Sequence, residues 1–127
     1  MTFNAGAIGK VLYSLINSTV VVNPTIAPQN TSDPYCIYSI LRTEPDDVKD
    51  GVSLVDTVTV LLSVYHNSYS SAATLGDSVR AILDGYRGTA GGVYVDTIVY
   101  VTESDDYEDE TRKYIKIQEY TLRILNT

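Results

Sequence analysis

The chain has 127 residues, with nine Lys and Arg against sixteen Asp and Glu for a formal net charge of −7, and eleven Tyr beside a single Phe and no Trp. At this length a globular chain buries about two-thirds of its unfolded surface, so one domain over residues 1–127 is expected, and 44% hydrophobic against 20% charged residues exclude a disordered tail. A pI of about 4.4 argues against a duplex-DNA reader, whose affinity comes from Lys and Arg on phosphate, while leaving room for DNA that must slide past.

Residues 5–17 predict a helix, because Ala5, Ile8, Val11, Leu12, Leu15 and Ile16 share one face, with Asn4 as N-cap. Gly6 and Gly9 each cost it up to about 1 kcal/mol, so packing must hold it. Residues 20–22 form a short strand, and 23–34, with three prolines and no period, a long loop. Residues 35–43 alternate Cys36, Tyr38 and Ile40 with Tyr35, Ile37 and Leu41 as a strand entered through Pro34. After a turn at 44–51, residues 53–65 make the clearest strand, with Leu54, Val58, Val60, Leu62 and Val64 on one face and Thr57, Thr59 and Ser63 on the other. Its length suggests a bend, a bulge or an extension beyond the body of the domain.

Helical spacing returns over 70–84 through Ala72, Ala73, Gly76, Val79, Ile82 and Leu83, closed by Gly85. A glycine-rich connection leads to a strand over 93–103, where Val93, Val95, Val99 and Val101 alternate with Tyr94, Asp96, Ile98 and Tyr100. Residues 104–110 hold five acids and read as a connection. The last strand, 112–125, sets Ile115, Ile117 and Thr121 opposite Tyr114, Tyr120, Leu122 and Ile124. The order predicts an α+β domain: an antiparallel β-sheet of about four to five strands, two α-helices packed on one face, and two hairpins flanking the second helix.

Cys36, the one cysteine, excludes an internal disulfide and a multi-thiolate metal site, and in an alternating strand it reads as a small buried hydrophobe. His66, the one histidine, follows a strand end and lies apart in sequence from Cys36, so no nucleophilic triad is expected. No catalytic residue, cofactor or metal is expected. The glycines of 85–92 follow a helix instead of opening one, which suits a cap and turn better than a phosphate cradle. The start lacks a basic n-region and apolar h-region, and no apolar run approaches about 18 residues, so a soluble protein used where it is made is expected. The acidic run reads as a solvated tip or a charged surface facing a partner or channel. Tyrosines in such number suit surfaces that are apolar yet carry a hydrogen-bonding end.

The amphipathic N-terminal helix, the Pro-rich loop ending in Asp33-Pro34-Tyr35-Cys36-Ile37-Tyr38 and the long strand into Val64-Tyr65 form one part of a wider pattern. The helix closing as Val79-Arg80-Ala81-Ile82-Leu83-Asp84-Gly85-Tyr86-Arg87-Gly88, then Gly91-Gly92, and Tyr107-Glu108 before the last strand, form the rest. Together they resemble, over nearly the whole chain, the tail-completion or tail-terminator proteins of long-tailed bacteriophages. The resemblance implies a non-enzymatic virion protein at the head-proximal end of the tail, assembled in the host cytoplasm. It implies a homo-oligomeric ring, usually of six subunits, that caps the tail tube and joins it to the head connector. Its partners would be other copies of itself, the tail tube protein, a head-connector or head-closure protein, and DNA passing without sequence recognition; no membrane is implied.

Such a ring needs a heterologous contact whose rotation closes, for which long strands and a Pro-rich loop are natural means. Tyr35, Tyr65, Tyr69, Tyr94, Tyr100, Tyr114 and Tyr120, placed opposite the expected core, are then candidates for a subunit or neck interface. Asp46, Asp47, Asp50, Asp105, Asp106, Glu108, Asp109 and Glu110 are candidates for lumen or rim. The alternatives are a head-closure or connector ring and, from a different class, a small α+β binding module or enzyme. The enzyme would need His66 within reach of a carboxylate in a closed pocket.

Overall fold

A computed structural model of the chain describes residues 7–24, 34–45 and 55–125. Helix α1 (Ala7–Ile16) buries Ile8, Val11, Leu12 and Ile16 of the predicted stripe together with Ala7, and leaves Leu15 half-buried, while Ala5 lies outside the described residues. The expected cap Asn4 and Gly6 lie outside the described residues. Helix α2 (Tyr69–Leu83) turns Ala72, Gly76, Val79 and Leu83 inward. Each fully buried Leu, Ile or Val contributes about 1.5–3 kcal/mol, which offsets the low intrinsic stability of the ten-residue α1.

Six strands form one sheet in the order β1-β2-β3-β6-β5-β4, with β1 Val21–Pro24, β2 Tyr35–Pro45, β3 Val55–His66, β4 Gly88–Ala90, β5 Val93–Glu108 and β6 Lys113–Leu125. The α+β class and the two expected hairpins, β2 with β3 and β5 with β6, are present. The expectation of four to five antiparallel strands is corrected on two points. The glycine-rich connection contains the short strand β4, which pairs with the start of β5 across the Gly91-Gly92 turn. Strand β1 runs parallel to β2, so the sheet is mixed.

At the centre, β3 and β6 pair antiparallel from Val55–Leu125 to His66–Tyr114. Val58, Val60, Leu62 and Val64 on β3 and Gln118, Tyr120, Leu122 and Ile124 on β6 face the two helices and carry the core. Strands β3 and β5 run the same way with β6 between them, so α2 is the crossover of a split β-α-β unit. The two hairpins therefore point in opposite directions. Pro45 pairs with Asp56 at one end of the sheet, and Glu108 pairs with Lys113 at the other, about 40 Å away for a strand of twelve residues.

Three expectations along the strands change. The bulge sought in β3 is found instead in two other strands: β2, its neighbour, slips register between Ile40 and Arg42, and β5, paired with β6, between Val95 and Thr97 and again between Tyr100 and Thr102. Each inserted residue reverses the alternation, so Ile98 is buried while Val99 and Val101 are exposed. The acidic stretch is only partly a connection, because β5 continues through Asp105, Asp106 and Glu108, leaving Asp109 and Glu110 in the turn. Tyr120 belongs to the core, and Tyr35 is buried as well.

Candidate assembly surfaces

The end of α2 is fastened to β5. The Asp84 N–H completes the helix on the Arg80 carbonyl, after which Gly85 adopts a positive φ of 83° that its lack of a Cβ permits. The Gly85 N–H donates to the Ile98 carbonyl at 2.7 Å, and the Tyr100 N–H donates to Asp84 Oδ1 at 3.0 Å. Arg80 places its guanidinium 3.7 Å from the centre of the Tyr100 ring. The Asp-Gly segment in the family resemblance thus satisfies backbone groups on the outer edge of β5.

Beneath α2 lies a buried polar chain. Gln118 Nε2 donates to the Gly76 carbonyl and to Glu103 Oε1, each at 2.9 Å, and the Tyr120 hydroxyl donates to Gln118 Oε1 at 2.7 Å. Burial raises the Tyr120 hydroxyl well above the ordinary tyrosine value. Tyr100 meets Tyr120 edge-on at 5.8 Å, so Tyr100 packs toward the core side.

The distal part of the β5–β6 hairpin divides its acids between the two faces of the sheet. On the helix side, Lys116 Nζ reaches Asp105 at 2.7 Å and Glu103 at 3.5 Å, and Tyr69, the first residue of α2, donates its hydroxyl to Asp105 at 3.0 Å. The Lys116 hydrogen bond holds the Asp105 carboxyl below the usual carboxylate range, and Asp105 in turn raises the ammonium of Lys116. Tyr114 joins this face, 5.8 Å from Tyr69 and 4.8 Å from Tyr107.

On the opposite face Tyr35 and Tyr65 stack at 4.8 Å, and Lys113 donates to the Tyr35 hydroxyl at 3.2 Å with its Nζ 4.5 Å from that ring. Burial, followed by the charge of Glu108, raises the Tyr65 hydroxyl. Asp106 and Glu108 share this side, opposite Ile115 and Lys113 in the ladder. Tyr94 stands apart near the start of β5, accepting from Arg87 Nε at 3.2 Å. Asp46, Asp47 and Asp50 lie outside the described residues. The structure therefore gathers Tyr35, Tyr65, Tyr69, Tyr107 and Tyr114 around one hairpin, and separates Tyr94, Tyr100 and Tyr120 from them.

His66 Nδ1 lies 2.9 Å from Asn67 Oδ1, at the side of an open groove of about 340 Å³ lined by Pro34, Leu75 and the small polar residues Ser70, Ser71, Thr74 and Ser78 of α2. Cys36 is buried in the core, where desolvation pushes its thiol up to about 12. The two residues are thus not joined in one closed pocket. Among the described residues no three His, Cys, Asp or Glu gather to hold a metal ion, and no helix is long and apolar enough to cross a membrane.

Exposed apolar residues at the sheet edges are the feature that sequence alternation misses. Ile40 and Leu41 on β2, and Val99 and Val101 on β5, are each between 41% and 49% exposed. The available signal was an adjacent pair, Ile40-Leu41, that breaks a period of two, followed directly by Arg42-Thr43-Glu44.

The sequence profile of the family described as Tail completion protein gp17 matches residues 12–125. A chain in the virion of a native gene transfer agent particle is similar in structure, with a TM-score of 0.62 and 14% sequence identity, over 91% of this chain and 85% of that one. At that identity the likeness is one of fold. No curated protein matches the chain by sequence. The family match takes in the second half of α1, all of α2, both hairpins and the fastened Asp84-Gly85 turn, and the chain belongs to the phage tail completion protein gp17 family, as a structural protein of the virion.

Proposed function

We propose that the protein forms a homo-oligomeric ring of six subunits that terminates the phage tail tube, joins it to the head connector and lets DNA pass through its lumen. The observation that carries this reading is the pair of unlike sheet edges, each incompletely paired among the described residues. Strand β1 covers β2 only from Tyr35 to Tyr38, and β4 covers β5 only from Val93 to Val95. One copy can therefore offer one edge to the other edge of the next, the head-to-tail contact from which rings are built.

The acids support the passage of DNA, since a lumen or rim of one negative sign repels phosphate without holding it. Asp106, Glu108, Asp109 and Glu110 are exposed at the hairpin end; with Asp105 and the acids at 46–50 they are the residues proposed for that role. Tyr65, Tyr69, Tyr94 and Tyr114, each with some surface exposed, are proposed for contacts with the neighbouring subunit or the neck. Tyr35, Tyr100 and Tyr120 would support those contacts from within.

Electron microscopy of the assembled particle tests the reading. Six copies between the tail tube and the connector are expected, and removal of the chain should leave tails that do not join heads. A single copy per particle, or a position away from the tube end, would overturn it. The same map separates this position from that of a head-closure ring on the portal side.

A further inference from the structure

Strand β5 changes character at its second bulge. Before it, Val93, Val95 and Ile98 are buried; after it, from Thr102 to Glu108, no residue is buried and only Glu103 is half-buried. The outer edge of the first part is covered by β4 and by the end of α2, which takes the Ile98 carbonyl and the Tyr100 N–H. Among the described residues nothing pairs with the outer edge of the second part, which is laddered to β6 alone, from Thr102–Glu119 to Glu108–Lys113. A ribbon of that kind without apolar burial is marginally stable in water, so side chains must hold it.

The side chains that do so belong to other elements. Lys116 of β6 bridges Asp105 and Glu103, Gln118 of β6 donates to Glu103, and Tyr69 of α2 donates to Asp105. The Tyr107 ring lies against Tyr114. Residues 103–108 carry four acids and no base, so this attachment rests on charge-assisted hydrogen bonds more than on apolar burial. The elements that supply it are secured elsewhere. Strand β6 keeps its pairing with β3 from Leu61–Glu119 to His66–Tyr114, and α2 is anchored in the core through Ala72, Val79 and Leu83.

We infer that Thr102–Glu108 is a strap, held by the clasp of Tyr69, Asp105, Lys116 and Glu103, that opens as a unit at the Val101 bulge while the rest of the sheet stays folded. The strap is a property of the single chain, independent of any ring that the chain enters. Its opening makes β6 the edge strand over Lys113–Glu119, releases Lys116 from the strap's carboxylates and bares a row of backbone donors and acceptors. The end of the sheet thus keeps in reserve an edge that another strand can take without disturbing the core.

Amide hydrogen exchange on the full chain at neutral pH tests this, comparing the amides of 102–108 that bond to β6 with those of β3. In the unchanged chain both should be protected, the strap less than β3. Tyr69→Phe removes the clasp hydroxyl and keeps the ring against Tyr114. It should speed exchange in 102–108 about three- to tenfold and leave β3 unchanged. Lys116→Met removes the ammonium, keeps an apolar stem and leaves Glu103 and Asp105 side by side without their cation, so its acceleration should be larger.

Equal acceleration of the strap and β3 would show that they open together and would overturn the inference. So would an unaltered rate in 102–108 in both variants, or a strap that already exchanges at the unprotected rate before any substitution. Tyr69→Phe deletes one surface hydroxyl, so the measurement stands even if Lys116→Met does not fold.

Discussion

The Tyr120 hydroxyl donates to Gln118 Oε1 at 2.7 Å, two residues away on the same strand, and both side chains are buried beneath α2. A tyrosine and a glutamine in a core are each costly alone, because an unpartnered buried polar group loses about 1–3 kcal/mol. Together they are satisfied, with Gly76 and Glu103 taking the Gln118 amide protons. Gln118→Ala should therefore destabilise the chain by about 2–4 kcal/mol, from lost volume and an orphaned hydroxyl. Tyr120→Phe should cost about 1–2 kcal/mol. Urea unfolding of the two variants and their double measures this, and the double should cost less than the sum.

Gly91 and Gly92 form the β4–β5 turn, both with positive φ, at 58° and 78°. A Cβ on Gly91 would sit 2.5 Å from the Lys10 carbonyl oxygen of α1, whereas a Cβ on Gly92 meets nothing within 4 Å. Gly92→Ala should cost about 1 kcal/mol, from backbone conformation alone. Gly91→Ala should cost at least about 1 kcal/mol more, because α1 must move. Thermal melts of the pair separate the two contributions, and equal losses would contradict the close approach of α1.

The Asp105–Lys116 pair makes stability depend on pH in a defined direction. Asp105 is depressed in the folded chain, so its contribution is present above the ordinary carboxylate value, about 4, and is lost as pH falls through the lower folded value. Lys116 is raised, so its contribution is present below the ordinary lysine value, about 10.4, and is lost as pH rises through the higher folded value. With Asp105 44% exposed, solvent screening holds the effect below about 1 kcal/mol. Asp105→Asn should flatten the acid limb of the stability–pH curve while leaving neutral stability within that margin.

Fastening of α2 to β5 should be visible at one amide. Asp84→Ala removes the acceptor for the Tyr100 N–H, at a cost of about 1 kcal/mol. Amide hydrogen exchange at Tyr100 should then accelerate, while that at Leu122, in the centre of the sheet, changes only by the global loss of stability.

Cys36 should be silent in the native chain. Its thiol is buried and raised to about 12, so a thiol-reactive dye should label it only after denaturant is added. Rapid native labelling would mean that the core opens at β2.

Much of the fold was legible because periodicity reports burial directly. The stripes of both helices, the buried face of β3 and the closing role of Gly85 follow from spacing; the alternation of β6 does too, but the face that holds Tyr120, Leu122 and Ile124 is the core side and not the side opposite it. The phase of β2 and β5 was not, because one inserted residue inverts every later assignment: Val99 and Val101 have the composition of core residues and the position of surface ones. Acids from Asp105 to Glu108 looked incompatible with a strand because their compensation comes from Lys113 and Lys116 across the hairpin, which a linear reading does not bring together. Tyr120 differs from the exposed tyrosines only through Gln118, a partner that becomes visible once β6 is seen beneath Gly76. Strand β4, at three residues, is too short to have a period, and the parallel pairing of β1 is a property of topology.

The opposed hairpins have a consequence for orientation. Rotation about an axis along the strands would bring every β5–β6 turn to one side of an assembly and every Pro45–Asp56 end of the sheet to the other. No such rotation exchanges the two sides, so a ring of the proposed kind would have a fixed polarity and two dissimilar faces. A subunit built this way can meet chemically different neighbours above and below without any change of conformation, and a stack that incorporates it stops being repetitive at that level.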